Sequence, residues 1–342
     1  MRGCAPQMVP CARAWWMLHP MESVRWAFPC AAWRPSRAEW LLAARAVQPE
    51  EKDRIGQFVF ARDAKAAMVG RLMMRKLIAE KLSIPWNNIL LQRTAKGKPV
   101  LVNDSFSTHP DFNFNISHQG DYAVLAAEPK LQVGIDIMKT TLPGQSSIPE
   151  FFRIMNRQFT EREWETIKAF EDEWTQLDTF YRHWALKESF LKAIGVGIGF
   201  SLQRIEFNIS PLHLEVGKVY RETNMLLDGE EEEEWVFEES RLDEYHHIAV
   251  ALKKSDGLRP QNPQVFSQDH PELTVSQFTF LTFEDLVASA VPLTPEDPSY
   301  WDNFCSRQEE PLRNSTSFGN TQETKVKNED FVKSQGYQKI SN

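Results

Sequence analysis

The run Trp184-Ala185-Leu186-Lys187-Glu188-Ser189-Phe190-Leu191-Lys192 sets a tryptophan, a carboxylate and two lysines on one short helix. Trp184, Glu188 and Lys192 recur every fourth residue and share a helical face, with Lys187 one position to the side and Leu186 and Phe190 turned toward another surface. A carboxylate flanked by cations can hold a hard metal ion while the ammonium groups neutralise a phosphate beside it. The same spacing also describes a plain surface ion pair, because Glu188 followed by Lys192 is the favoured orientation. The helix alone leaves both readings open.

Two further stretches bear on the choice. Val133-Gly134-Ile135-Asp136-Ile137 is an apolar strand with a carboxylate lodged in it, expensive to bury unless Asp136 is paired or bound to a cation. Phe112-Asn113-Phe114-Asn115-Ile116-Ser117-His118 reads as another strand with Ser117 and His118 at its tip. In Arg93-Thr94-Ala95-Lys96-Gly97-Lys98-Pro99, three cations surround a glycine that lets the backbone approach an anion closely. A Gly-x-Asp strand followed by Trp-x-x-Lys-Glu-Ser-x-x-Lys resembles the Sfp-type 4'-phosphopantetheinyl transferases, and the likeness runs from Met21 to Ala290.

That resemblance implies an α+β fold of two similar subdomains, each a small antiparallel sheet packed with helices, related by a pseudo-twofold axis. It implies Mg2+-dependent transfer of the 4'-phosphopantetheine arm of coenzyme A to a serine of apo acyl or peptidyl carrier proteins, with release of adenosine 3',5'-bisphosphate. The implied carriers are those of fatty-acid synthase and of an aminoadipate-semialdehyde dehydrogenase-like protein of lysine catabolism, served by a monomeric enzyme. Glu188, Lys192, Asp136 and His118 become the catalytic set, with Asp136 and Glu188 on the metal. Ligands offering only oxygen favour Mg2+ over zinc. Lys187 and Lys192 would counter phosphate charge, and His118 with Asn115, Ile116 and Ser117 would take the pyrophosphate or adenosine side. Arg54, Arg93, Thr94, Ala95, Lys96, Gly97 and Lys98 would bind the ribose 3'-phosphate and its surroundings. The proton acceptor stays open between Glu188, a metal-bound water and His118. One departure stands out: relatives with Asp-x-Glu carry a third carboxylate where this chain has Met138, so a water is expected there. Two other classes remain, a coenzyme A-binding enzyme of another transfer class and a non-catalytic carrier-protein adaptor.

With 342 residues, 42% of them hydrophobic, and 11 tryptophans, the chain has material for a large core or two medium ones. A net charge of -8 argues against a nucleic-acid binder with a broad basic face. Cys4, Cys11, Cys30 and Cys305 show no paired spacing, so neither a disulfide framework nor a zinc cluster is indicated and a reducing, cytosolic setting fits. No apolar run approaches the length of a membrane span. Residues 1–20 read as a disordered extension before an internal start at Met21, with mitochondrial targeting as the alternative.

Patterning divides the rest into an N-terminal subdomain, 21–142, and a C-terminal one, 143–291, with 292–342 mostly disordered. Capping boxes open helices at Ser36–Glu39 and Thr160–Glu163, and helical periodicity covers Phe60–Lys81 and Glu173–Ile194. Arg62, Arg71 and Arg75 are expected on a solvated face. Strands are expected at Val24–Phe28, Ile89–Leu91, Phe112–Ile116, Tyr122–Ala127 and Leu131–Ile137, then Arg204–Asn208, Val216–Tyr220, Trp235–Glu238 and His247–Leu252. Asp228–Glu234 is an acidic, exposed tip. Phe278–Phe283 would be a final strand returning to the core of the C-terminal subdomain, and a cut after Trp301 is expected to be silent.

Overall fold

The computed structural model describes residues 22–95, 97–102, 111–144, 146–196, 199–253 and 277–310. The expected extension at 1–20 and the chain beyond 310 lie outside them. The first half runs β1 (Val24–Phe28), α1 (Arg37–Arg45), α2 (Pro49–Gly56), α3 (Ala61–Lys81), β2 (Leu91–Arg93), β3 (Pro99–Leu101), β4 (Asn113–Gln119), β5 (Tyr122–Glu128) and β6 (Gln132–Lys139). The second runs α4 (Ile148–Ile154), α5 (Glu161–Lys168), α6 (Glu173–Ile194), β7 (Ile205–Asn208), β8 (Val219–Tyr220), β9 (Asn224–Leu227), β10 (Glu230–Glu231), β11 (Trp235–Arg241) and β12 (His246–Lys253). β13 (Thr279–Phe280), α7 (Phe283–Val287) and α8 (Pro298–Cys305) close the described chain. The fold is mixed α+β. Both capping boxes form: Ser36 and Thr160 each accept the N–H three residues on, while Glu39 and Glu163 return a carboxylate to the cap.

Two four-stranded sheets organise the chain, one ordered β13-β1-β5-β4 and the other β6-β12-β11-β8. β6 lies before residue 142 in sequence yet pairs antiparallel with β12 over its whole length, so the sheets divide ahead of it. Where β4 meets β6, side chains replace the backbone ladder. Asn115 Oδ1 accepts the Ile135 N–H at 3.2 Å and Gln119 Oε1 accepts the Lys139 N–H at 2.6 Å. Between the sheets, Ala27, Val124 and Ala126 pack with Ile135, Ile137 and Val250. Arg25 crosses this seam fully buried, its Nη2 2.5 Å from Glu128 and its Nε 2.9 Å from Glu238. Such a charge is tolerable inside only because both carboxylates meet it.

Four expectations need correction. Arg71 and Arg75 are buried, at 4% and 1% exposure, because α3 is enclosed on nearly every side. Arg75 donates to the Ile89 carbonyl at 3.3 Å and lies over the Trp86 ring, tying the helix to the turn before β2. The returning strand is β13, only two residues long, and it joins the N-terminal sheet, parallel to β1 with Trp26 opposite Thr279. Near the acidic tip, the positive φ of Asp228 and Gly229 turns β9 into β10, and β9 stands outside the expected strands.

The fourth correction concerns the tail. α8 lies on α1, with the Phe304 ring stacked on Trp40 at 3.8 Å between centroids and the Tyr300 hydroxyl donating to the Lys52 carbonyl at 2.9 Å. The N-cap Phe60 of α3 supplies no side-chain cap, and the carbonyls of Gln308 and Glu309 accept the Ala61 and Arg62 N–H groups instead, at 2.9 and 3.2 Å. The low apolar average after Pro292 conceals Tyr300, Trp301 and Phe304. Cys30 and Cys305, the cysteines among the described residues, are free thiols, and no described helix is long and apolar enough to cross a membrane.

A chain ending at Trp301 is therefore expected to lose about 3 kcal/mol or more relative to one ending at Glu310, the cost of deleting a buried aromatic side chain. Urea unfolding of the two chains checks this. Equal midpoints would mean that α8 does not belong to the folded core.

Candidate active site

Helix α6 lies directly on strand β6, and the strand allows it at one residue. A Cβ on Gly134 would fall 2.1 Å from the Ser189 carbonyl oxygen and 2.4 Å from the Ala193 nitrogen, both helix backbone. Gly134, Asp136 and Met138 alternate along the strand and share a face. On the helix, Glu188 and Lys192 stand one turn apart over Asp136. The Lys192 Nζ lies 2.5 Å from Asp136 Oδ1 and 2.8 Å from Ser117 Oγ, and Ser117 donates to the same carboxylate oxygen at 2.8 Å. β4, β6 and α6 thus each contribute one member of a hydrogen-bonded triad, with Ser117 and Asp136 buried and Lys192 partly exposed. Asp136 Oδ2 is buried with no hydrogen-bond partner among the described residues. Such an oxygen is costly to leave empty and suits a cation.

These groups open into a cavity of about 230 Å³, lined on one wall by Ser117, His118, Asp136, Met138, Trp184, Glu188 and Lys192. The facing wall comes from α2, α3 and β2 as Arg54, Arg71 and Arg93, with Ala67, Met74 and Ile116 between. Pockets that enclose a drug-sized ligand run to about 300–1000 Å³, so a larger substrate would leave part of itself outside. His118 stands exposed at the rim. Desolvation by the surrounding pocket atoms, and then Lys192 and Arg54, lower the imidazole below its ordinary pKa, so it is neutral at pH 7. Burial and then the Arg54 cation pull the Arg93 guanidinium down, against the carboxylate of Glu51.

Of the residues singled out in the sequence, the structure brings Arg54, Arg93, Ile116, Ser117, His118, Asp136, Glu188 and Lys192 to this pocket. Asn115 instead spends its side chain holding β6 to β4. Thr94, Ala95, Gly97 and Lys98 form the β2–β3 turn without lining the cavity. The Thr94 hydroxyl accepts the Lys98 N–H at 3.1 Å, and the Gly97 carbonyl accepts from Arg93 at 2.9 Å. Lys96 lies outside the described residues.

Lys187 is a correction. One position off the Glu188 face, it turns into the core, where its Nζ meets Glu163 at 2.6 Å and donates to the carbonyls of Gln158, Leu202 and Ile205. It neutralises α5, not a phosphate. Lys192 is claimed by Asp136, so it is not merely one end of a surface pair. Among the described residues no group of three or more His, Cys, Asp or Glu is arranged for a metal, and Met138 does line the wall beside Asp136. A metal here would take two protein carboxylates. Sequence reading missed Arg71 and its partner Glu51; the available signal was that the charged residues of α3 are spread around the helix and not gathered on one solvated face.

A model of the 4'-phosphopantetheinyl transferase N-terminal region matches residues 31–130, and one of the 4'-phosphopantetheinyl transferase superfamily matches 132–251. The human L-aminoadipate-semialdehyde dehydrogenase-phosphopantetheinyl transferase is 69% identical over 309 residues, covering 90% of this chain and 99% of that protein. The Xenopus laevis protein of the same name is 63% identical over 297 residues, 87% of this chain and 96% of its own. The Bacillus subtilis 4'-phosphopantetheinyl transferase Sfp is 30% identical over 156 residues, 46% of this chain and 63% of its own.

Gly134→Ala tests the seating of the helix. Its methyl must push α6 off β6, and misplacement on the scale of an ångström lowers turnover about 100-fold. Far-UV circular dichroism should stay helical while turnover falls. Wild-type turnover would mean that the helix–strand contact does not set the site.

Proposed function

Because this chain belongs to the 4'-phosphopantetheinyl transferase superfamily, we propose that the pocket between its two sheets is where coenzyme A is bound and cleaved. The chain is an enzyme that moves the 4'-phosphopantetheine arm of coenzyme A to a serine of a carrier protein. The observation that supports the placement is the convergence of Asp136, Glu188 and Lys192 on one wall and of Arg54 and Arg93 on the other.

Transfer of a phosphoryl-type group asks a protein mainly to position the reactants and to stabilise charge. In this reading Lys192, fixed by Asp136 and Ser117, places its ammonium on the reacting phosphate oxygens. Asp136 and Glu188 would hold Mg2+, a choice supported by the partnerless Asp136 Oδ2 and the all-oxygen donor set. When bound, the ion supplies neutralisation of the pyrophosphate. Arg54 and Arg93 take the ribose 3'-phosphate. His118, kept neutral at pH 7 by desolvation first and then by Lys192 and Arg54, donates to the pyrophosphate. The serine proton is assigned to Glu188, which lines the pocket with Lys192.

The acceptors in this reading are apo acyl carrier domains, that of an aminoadipate-semialdehyde dehydrogenase-like protein first, because the names of the relatives cite that protein. The fatty-acid synthase carrier is the second. We place the enzyme in the cytosol as a monomer.

Glu188→Gln keeps shape and removes charge, and should lower turnover about 100- to 1000-fold. Mass spectrometry of an apo acyl carrier protein incubated with coenzyme A and Mg2+ reads the gain of one phosphopantetheine. Turnover close to that of wild type would remove Glu188 from both assigned roles.

A further inference from the structure

Glu51 sits on α2 behind the arginine wall, with 7% of its surface exposed. It is not itself a lining residue, yet every guanidinium of that wall meets it. Its carboxylate lies 3.1 Å from Arg54 Nε, 2.9 Å from Arg71 Nε and 3.1 Å from Arg93 Nε. The three arginines come from three elements, α2, α3 and β2, so the carboxylate is the one point at which they meet. In each case it takes the Nε edge. Arg71 is 4% exposed, lines the pocket, and keeps a buried Nη1 with no partner among the described residues.

Three cations around one carboxylate leave two positive charges in excess in a partly desolvated wall. A phosphate monoester carries about -1.5 to -2 at pH 7 and offers three acceptor oxygens, whereas each phosphate of a pyrophosphate bridge carries less charge and fewer free oxygens. Guanidinium groups recognise such oxygens through a rigid fork, which an ammonium of equal charge cannot reproduce.

We infer that Arg71 is a third residue binding the terminal phosphate monoester of the substrate, and that Glu51 is a positioning residue holding Arg54, Arg71 and Arg93 by their Nε edges for that phosphate. This rests on the coenzyme A reading above, in which the monoester is the ribose 3'-phosphate. A positioning role and a pure charge role predict opposite signs. Removing the Glu51 charge makes the wall more positive, which by Coulomb attraction alone tightens any anion. If Glu51 sets the geometry, the half-exposed Arg54 and Arg93 swing apart and binding weakens.

The test is calorimetric titration of the full chain with coenzyme A and with dephospho-coenzyme A, for wild type, Glu51→Gln and Arg71→Lys. Both variants should weaken coenzyme A about tenfold and dephospho-coenzyme A by less than about twofold, a tenfold change being ~1.4 kcal/mol. Tighter binding of coenzyme A by Glu51→Gln would overturn the positioning role, and equal losses for both ligands would reduce the cluster to scaffold. If Glu51→Gln does not fold, the charge-conserving Arg71→Lys decides alone by the same ratio. A wild type that binds neither ligand would instead sink the coenzyme A reading, a result separable from variants that fail to change the ratio.

Discussion

The backbone of α6 rests on β6 where Gly134 has no side chain, and the rest of the site follows from that contact. An α-helix normally stands off a sheet by the thickness of two side-chain layers. Here the Ser189 carbonyl and the Ala193 nitrogen occupy the space a methyl group would need. The close approach lets a charge on the helix reach a charge on the strand directly, as Lys192 reaches Asp136 at 2.5 Å. Without it, Asp136 would keep only the Ser117 hydroxyl as a partner in the apolar middle of β6, a costly setting for a carboxylate.

The same economy of space explains where the pocket lies. β4 and β6 belong to different sheets and are held by Asn115 and Gln119 side chains, not by a ladder, and the pocket residues Ser117 and Asp136 lie between these two ties. There the lining carries carboxylates and a lysine together with arginines. Away from the pocket, Ala27, Val124 and Val250 pack in the apolar layer between the sheets, which Arg25 crosses with Glu128 and Glu238. The negative chain as a whole thus presents a local cationic wall, which is the form in which an acidic protein can still bind a phosphate.

Much of this was legible in the residues, and the failures share a cause. Helix α6 begins and ends where its periodicity does, at Glu173 and Ile194, and both capping boxes form because they are local devices. Asp136, Glu188 and Lys192 came to notice together because strand and helix each carry a short, dense motif. What escaped depends on a partner remote in sequence. Lys187 looks like a neighbour of Glu188 until α5 brings Glu163 against it. Arg71 looks solvated until Glu51 and the β2 loop enclose it. The two residues of β13 carry too little pattern to announce a parallel pairing with β1, and α8 is hidden by the polar residues that follow it.

The central claim is that the seating of α6 on β6 builds the coenzyme site at the seam of the two sheets. A crystal structure of the chain with coenzyme A and Mg2+ tests it most directly. The account predicts the pyrophosphate against Asp136, Glu188 and Lys192, with the 3'-phosphate on the wall of Arg54 and Arg93. Density for the coenzyme away from this seam, or a Glu188 side chain turned from the pyrophosphate, would contradict it.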